Sequence, residues 1–188
     1  MNTGFNQAFG FSQSCGFGNG FSYVEPVYVS GIKKDRYNSG YFADDPAWFD
    51  GRTISATTYP TAISDTSPSG DDNFSVRWTG YFRPATTDTY TFYLNSDDAS
   101  YMWIGENTKR GATVSNCLVN NGGPHGSKEV SASVTLTAGV SYPILVIFGD
   151  IGGPNLLTFS YSTPTISKTT NVSSLVYYNS AAKDSRGF

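Results

Sequence analysis

Apolar and polar residues alternate with a period of two in several separated stretches of this chain, the pattern of β-strands with one buried face. The clearest stretch is residues 88–94, in which Tyr90, Phe92 and Leu94 are apolar. Residues 74–82 and 129–136 alternate similarly, residues 142–148 form an apolar run, and residues 156–161 read as a return strand. No periodic helix longer than two turns is present. The pattern therefore predicts an all-β domain.

The ends of the chain carry weaker patterns. Residues 1–22 are rich in Gly, Phe, Ser and Asn and are predicted to form an irregular leader. Residues 23–29 are predicted as an edge strand, because Pro26 cannot donate to a central ladder. Residues 175–178 are expected to pair with this N-terminal region. Between residues 31 and 72 turn-formers dominate, with short strands expected at residues 41–42 and 53–59.

Two adjacent carboxylates, Asp97 and Asp98, follow the strand predicted at residues 88–94, and residues 101–105 resume extended structure. No basic residue is nearer in sequence than Lys109. Neighbouring negative charges repel each other unless a cation lies between them, and calcium prefers carboxylate oxygens among its six to eight ligands. An ordinary Asp turn is the alternative. The other two acidic pairs, Asp44–Asp45 and Asp71–Asp72, are interpreted as turn and loop.

The segment YTFYLNSDDASYMWIG, residues 90–105, resembles the centre of the protective-antigen-type lectin domain, especially in yeast flocculins and epithelial adhesins. Upstream, NFSVRWTGYFRPATTDTY at residues 73–90 fits this GLEYA-related family. The resemblance covers residues 73–162 as the recognisable lectin core. It implies a single domain over residues 1–188, an antiparallel β-sandwich with long loops, and binding of terminal sugars through calcium.

The resemblance also implies the residues of the calcium site. In this family the two aspartates are joined by a cis peptide bond, which corresponds here to Asp97–Asp98. A second loop follows a Tyr-Pro strand, here Tyr142–Pro143. It would supply the side chain of Asp150 and the backbone carbonyls of Gly152 and Pro154. An ordinary hairpin loop is the alternative for residues 149–155. The expected sugar-binding residues are Asp97, Asp98, Asp150, Ile151, Gly153 and Asn155.

A flexible polar loop at residues 107–126 is a candidate rim for this site. Its tip carries Asn120, Asn121 and His125, the only histidine of the chain. A solvated loop without a binding role is the alternative. Aromatic rings often cover the apolar face of a bound sugar, but Trp103 continues a strand and is predicted to be a core residue. The other predicted core residues are Tyr90, Phe92, Leu94, Ile144, Val146 and Phe148.

Composition limits the remaining classes of function. The net charge is −3 and the pI about 5.0, so there is no basic footprint for nucleic acid and no polybasic membrane patch. No apolar run reaches the ~18 residues of a membrane span, and no signal peptide opens the chain. Cys15 and Cys117 are predicted to form a disulfide that ties down the leader, with two separate thiols as the alternative. Sequons at Asn73 and Asn171 are compatible with glycosylation and secretion.

Three functions are compatible with these observations. The first is a calcium-dependent lectin, the adhesion domain of a secreted fungal cell-wall protein, monomeric but present in many copies. The second is a glycoside hydrolase or its accessory carbohydrate-binding module, for which Asp98 and Asp150 are the candidate pair of catalytic carboxylates. The third is a structural wall domain in which calcium only joins two loops. Adjacent aspartates are a poor arrangement for an acid/base pair, which favours the lectin.

Overall fold

The computed structural model describes residues 26–66 and 71–181, without the side chains of residues 109 and 110. The strands are β1 Tyr28–Ser30, β2 Lys33–Tyr37, β3 Ala56–Thr58, β4 Ser64–Asp65, β5 Phe74–Phe82, β6 Asp88–Asp97, β7 Ser100–Ile104, β8 Val119–Asn121, β9 Lys128–Leu136, β10 Tyr142–Asp150, β11 Leu156–Ser162 and β12 Val176–Asn179. One short helix, α1 Asn107–Arg110, and two 3₁₀ turns, Pro46–Phe49 and Val114–Asn116, complete the regular structure of these residues.

The described strands form two antiparallel sheets packed as a sandwich. The large sheet has the order β1-β12-β5-β10-β7-β8, and β2 joins it by pairing with both β5 and β3. The small sheet has the order β4-β11-β6-β9. The predicted antiparallel β-sandwich is therefore confirmed. Strands β6 and β7 are consecutive in sequence but belong to different sheets, and so do β10 and β11.

The core between the sheets is built from the alternating apolar residues of the long strands. Six of the seven predicted core residues belong to it: Tyr90, Phe92, Leu94, Ile144, Val146 and Phe148. Phe82 is packed edge-to-face against Tyr90 and Phe92, with ring centroids 5.6 and 5.2 Å apart. Edge-to-face contacts of this kind add to the free energy gained by burying the rings.

A second apolar cluster covers the outer face of the large sheet. It contains Trp103, which is fully buried as predicted but lies outside the inter-sheet core. Its indole nitrogen donates to the carbonyl of Thr113 at 2.9 Å and to Oδ1 of Asn116 at 2.8 Å. Because residues 41–49 and 112–117 cover this face, all nine residues of β5 are buried, including polar ones.

The weaker predictions had mixed outcomes. Strand β12 pairs with β1, as expected for the chain ends, and β1 is an edge strand. A strand was expected at residues 41–42 but is absent there, and β2 forms instead in the preceding polar segment. Within β2, Asp35 is 2.9 Å from Lys33 Nζ and 3.7 Å from Arg77 Nη2. These two cations allow the buried carboxylate to sit in the sheet.

The structure gives no support to a disulfide. The Cys117 thiol is free, its Sγ lies 3.0 Å from the Val114 carbonyl oxygen, and burial raises the pKa of the thiol. Its predicted partner Cys15 and the whole leader, residues 1–22, lie outside the described residues. Asn73 and Asn171, the two sequon asparagines, are both exposed.

Candidate metal centre

The two candidate loops meet at one end of the sandwich because both connect the small sheet with the large one. The register aligns Leu156 of β11 with Asp97 of β6, and Phe148 of β10 with Ser100 of β7. A backbone hydrogen bond of 3.0 Å from Gly149 to the Ala99 carbonyl joins the corners directly. Strand pairing therefore places residues 97–99 beside residues 149–150, although the two segments lie about 50 positions apart in sequence.

The structure brings the three predicted carboxylates together. Asp97, Asp98 and Asp150 each offer an oxygen atom, and these three atoms lie within 4.8 Å of one another. Two ligands of one calcium ion, each 2.3–2.6 Å from it, are separated by at most about 5.2 Å. The spacing therefore fits a single ion. The peptide bond between Asp97 and Asp98 is cis, as the family resemblance implied.

The environments of the three carboxylates differ. Asp98 is buried, and its oxygens accept from the backbone N–H groups of His125 at 2.8 Å and Ile151 at 3.0 Å. Asp150 is completely buried, and neither of its carboxylate oxygens has a hydrogen-bond partner in the described part of the chain. Burial and the charges of Asp98, Asp72, Asp97 and Asp71, in decreasing order, raise the pKa of Asp150 to about 7.

This arrangement fits a divalent cation. An unpartnered, fully buried carboxylate is costly when ionised, and two neighbouring carboxylates add repulsion. Among the ion pairs of the described residues, none joins a Lys or Arg to Asp97, Asp98 or Asp150. Hard oxygen donors of this kind suit calcium better than softer metals. These three residues are the ones that would hold the ion.

The loop after Asp150 projects from the sandwich. Residues 151–154 are exposed, and the Ile151 side chain retains 45% of its accessible surface. Asn155 differs from its neighbours, because it is buried and donates from Nδ2 to the Asp71 carbonyl at 2.9 Å. Gly152 and Pro154, the predicted carbonyl ligands, lie in the exposed part of this loop.

The candidate rim loop contacts the same centre. His125 is attached through its backbone to Asp98, and its ring nitrogens lie 2.9 and 3.2 Å from the carbonyls of Gly126 and Asn121. Asn121 is completely buried and donates to Ser96 Oγ and the Lys128 carbonyl. Asn120 is exposed. His125 thus borders the site through its contact with Asp98, Asn121 holds the loop in place, and Asn120 makes no contact with the three carboxylates among the described hydrogen bonds.

Both acidic pairs interpreted as turn and loop supply an aspartate that contacts a segment of the candidate site. Asp72 accepts from the Gly153 N–H at 3.3 Å, and Asp71 pairs with Arg36 Nη2 at 2.5 Å. Asp44 Oδ1 accepts from Tyr101 Oη and the Gly123 N–H, each at 3.0 Å. The sequence gives no signal for these roles, because both segments reach the site only through tertiary packing.

Comparison with known proteins supports the fold. The family model of the GLEYA domain matches residues 74–163. The A domain of Epithelial Adhesin 6 from Candida glabrata, solved with Galβ1-3GlcNAc, is 19% identical with a TM-score of 0.61, covering 87% of this chain and 92% of that one. The PA14 domain of the MpAFP antifreeze protein is 18% identical with a TM-score of 0.65, over 85% and 96% of the chains. The chain has the PA14-type lectin fold.

A second group of similar proteins consists of anti-sigma factors. The anti-sigma-I factor RsgI3 of Acetivibrio thermocellus is 33% identical over 75 residues, which is 40% of this chain and 10% of that protein. A solved anti-sigma factor domain-containing protein is 23% identical with a TM-score of 0.63, over 79% of this chain and 48% of its own. The chain thus spans a tenth of the first protein and about half of the second.

Proposed function

We propose that this domain is a calcium-dependent lectin that binds the terminal sugar of a glycan. The observation that carries the proposal is the buried carboxylate of Asp150, which has no hydrogen-bond partner among the described residues and lies beside Asp97 and Asp98. A structural carboxylate in this position would have an N–H or cationic partner. The match to the GLEYA domain supports the same proposal.

The proposed calcium site has three carboxylates and leaves room for further oxygen ligands. Calcium takes six to eight oxygens, so the carbonyls of Gly152 and Pro154 would add to the carboxylates and still leave open positions. Vicinal hydroxyls of a sugar are neutral oxygen donors that suit such positions. The exposed Ile151 side chain would lie against an apolar part of the ligand, and Gly153 and Asn155 would shape the loop around it.

The surrounding charge selects the kind of sugar. Asp72 adds negative charge to the three carboxylates, and a calcium ion would neutralise only two of these four charges. A carboxylate on the glycan would be repelled by the remaining charge. We therefore propose that the ligand is a neutral or amine-bearing sugar and that sialic acids and uronic acids bind poorly.

The proposed biological role is adhesion at the surface of a fungal cell. The Candida glabrata adhesin domain, which this chain covers almost completely, motivates this role. A single terminal sugar buries few atoms, so each site would bind weakly and adhesion would depend on many copies. No helix within the described residues is sufficiently long and apolar to cross a bilayer.

Two other roles have a specific observation behind them. The similarity to anti-sigma factors favours a glycan-binding domain within a regulatory protein. The raised pKa of Asp150 would suit the general acid of a glycosidase. Complete burial argues against the second role, because the Asp150 carboxylate has no exposed surface from which to reach a glycosidic oxygen.

A glycan array in millimolar calcium and in excess chelator tests the proposal. Binding of neutral glycans is expected in calcium only, and Asp98→Asn and Asp150→Ala are expected to abolish it. Asp88→Asn is the matched control, because Asp88 lies on the same strand as Asp97 but at its opposite end. Binding that persists in chelator would disprove the role of calcium. Release of reducing sugar from a bound glycan would establish the enzyme instead.

A further inference from the structure

A cavity of about 170 Å³ lies on the outer face of the large sheet, away from the candidate metal centre. Its floor is formed by buried residues of β5 and β10, which include Leu145 and Ile147. Its mouth is formed by exposed residues of two covering segments, which include Asp50 and Gly111. Ile147 precedes Asp150 by three residues, about 10 Å along the strand, and faces the opposite side of the sheet.

The lining of this cavity combines opposite charges with a buried hydroxyl. The Arg77 guanidinium, 6% exposed, is part of the floor and also lies 3.7 Å from the Asp35 carboxylate, and the exposed Asp50 is at the mouth. Thr79 is 1% exposed, and its Oγ1 atom has no hydrogen-bond partner among the described residues. Such a hydroxyl loses its hydrogen bonds to water on folding unless another molecule restores them. Most of the remaining lining is apolar: Pro46, Ala47, Ala112, Leu145 and Ile147.

We propose that this cavity is a second ligand site and that it binds a small aliphatic α-amino acid. The ligand carboxylate would accept from Arg77 and the Thr79 hydroxyl, and its ammonium group would face Asp50. The side chain would lie against Leu145 and Ile147. A peptide terminus presents only one of the two charges, whereas a free amino acid carries both on neighbouring atoms.

The size of the cavity supports this class of ligand. An apolar cavity of about 150 Å³ holds one benzene molecule, so this cavity of about 170 Å³ suits a molecule of about six to eight non-hydrogen atoms. Alanine and valine have sizes in this range. A pyranose ring with its hydroxyl groups is too large, so the cavity is distinct from the proposed glycan site in ligand as well as in position.

Titration calorimetry of the full chain with L-valine tests the proposal. Two analogues serve as matched controls: 3-methylbutanoate lacks the ammonium group and 2-methylpropylamine lacks the carboxylate. Each is expected to bind at least tenfold more weakly than valine, and L-tryptophan is expected not to bind because of its size. Valine is expected to bind equally in calcium and in chelator. Absence of valine binding, or equal binding of all three small molecules, would refute the proposal.

Variants of the lining locate the binding. Ala112→Leu fills the cavity without changing its charge, and Thr79→Val removes the hydroxyl while keeping the shape. Both are expected to weaken valine binding at least tenfold, whereas Thr79→Ser is expected to retain it. Circular dichroism and glycan binding in calcium show that each variant is folded. Unchanged valine affinity in a folded Ala112→Leu protein would place the binding elsewhere and overturn the assignment.

Discussion

Replacement of Asp150 by asparagine should have opposite effects on stability with and without calcium. Without metal, the ionised carboxylate is buried and unpartnered among the described residues, and its pKa is raised from 3.8 to about 7. At pH 8 this difference corresponds to a loss of up to about 4 kcal/mol in the free energy of unfolding. Asparagine has nearly the same shape and no charge. We therefore expect Asp150→Asn to be more stable than the wild type in chelator.

Calcium should reverse this order. An ion present at 100 to 1,000 times its Kd adds about 2.7 to 4.1 kcal/mol to the free energy of unfolding. For a domain of this size each kcal/mol raises the Tm by about 2–4 °C, so the wild type should gain roughly 5–16 °C. The variant lacks one anionic ligand, and its gain should be less than half as large. The larger gain of the wild type would come from the same carboxylate that destabilises it without metal.

Thermal melts at pH 8 in excess chelator and in millimolar calcium measure both effects. Asp88→Asn is again the control, since its carboxylate is partly exposed and distant from Asp97 along β6. It should follow the wild type under both conditions. Two results would refute the reasoning: a wild-type Tm that does not respond to calcium, or an Asp150→Asn protein that is less stable than the wild type in chelator as well.

Three further predictions concern the surroundings of this site. In chelator, the stability of the wild type relative to Asp150→Asn should fall as the pH rises from about 4 to 7. The reason is that the Asp150 carboxyl ionises at a lower pH in the unfolded chain than in the folded one. Urea midpoints of the two proteins at several pH values measure this difference. Gly149→Ala should destabilise by about 1–3 kcal/mol in urea unfolding, because its Cβ would lie 2.5 Å from a ring carbon of Phe42. Asp44→Ala leaves the Tyr101 hydroxyl and the Gly123 N–H of the rim loop without this acceptor. Glycan affinity, measured by calorimetry, should therefore drop about tenfold. The increase in Tm on addition of calcium should persist.

The strands of the sandwich were predictable because each has a local signal. Alternation identified β6 and β9, and the apolar run identified β10. Strand β2 was missed, since its sequence KKDRY has almost no apolar residues. It forms because β5 offers a pairing partner and Arg77 offers a counter-charge for the buried Asp35. Such a contact between distant segments leaves no periodic trace in the sequence.

The candidate site was predictable only where its residues are adjacent in sequence or match a family pattern. Asp97 and Asp98 stand out as a pair, and Asp150 was found through the resemblance of its loop. Asp44 and Asp72 have the composition of ordinary turns, and nothing local distinguishes them from Asp45. Their proximity to the site depends on how residues 41–45 and 71–72 pack against the sheets, which sequence patterns do not encode.

In the proposed lectin, the position of the site between two sheets would separate ion binding from sugar selection. Asp97 and Asp150 each end a long strand, and each has a strand partner that fixes its position: Leu156 is paired with Asp97, and Phe74 with Asp150. Residues 151–154 have no strand partner and are exposed, so their side chains can change with little effect on the core, except at Gly153, whose φ of +102° favours glycine. A carboxylate cluster held by strand ends needs a defined geometry, whereas a loop that contacts different sugars needs freedom to vary. For side chains, the two requirements would fall on adjacent residues of one segment: Asp150 would hold the ion, and the side chains after it would contact the sugar, while the carbonyls of Gly152 and Pro154 would still reach the ion.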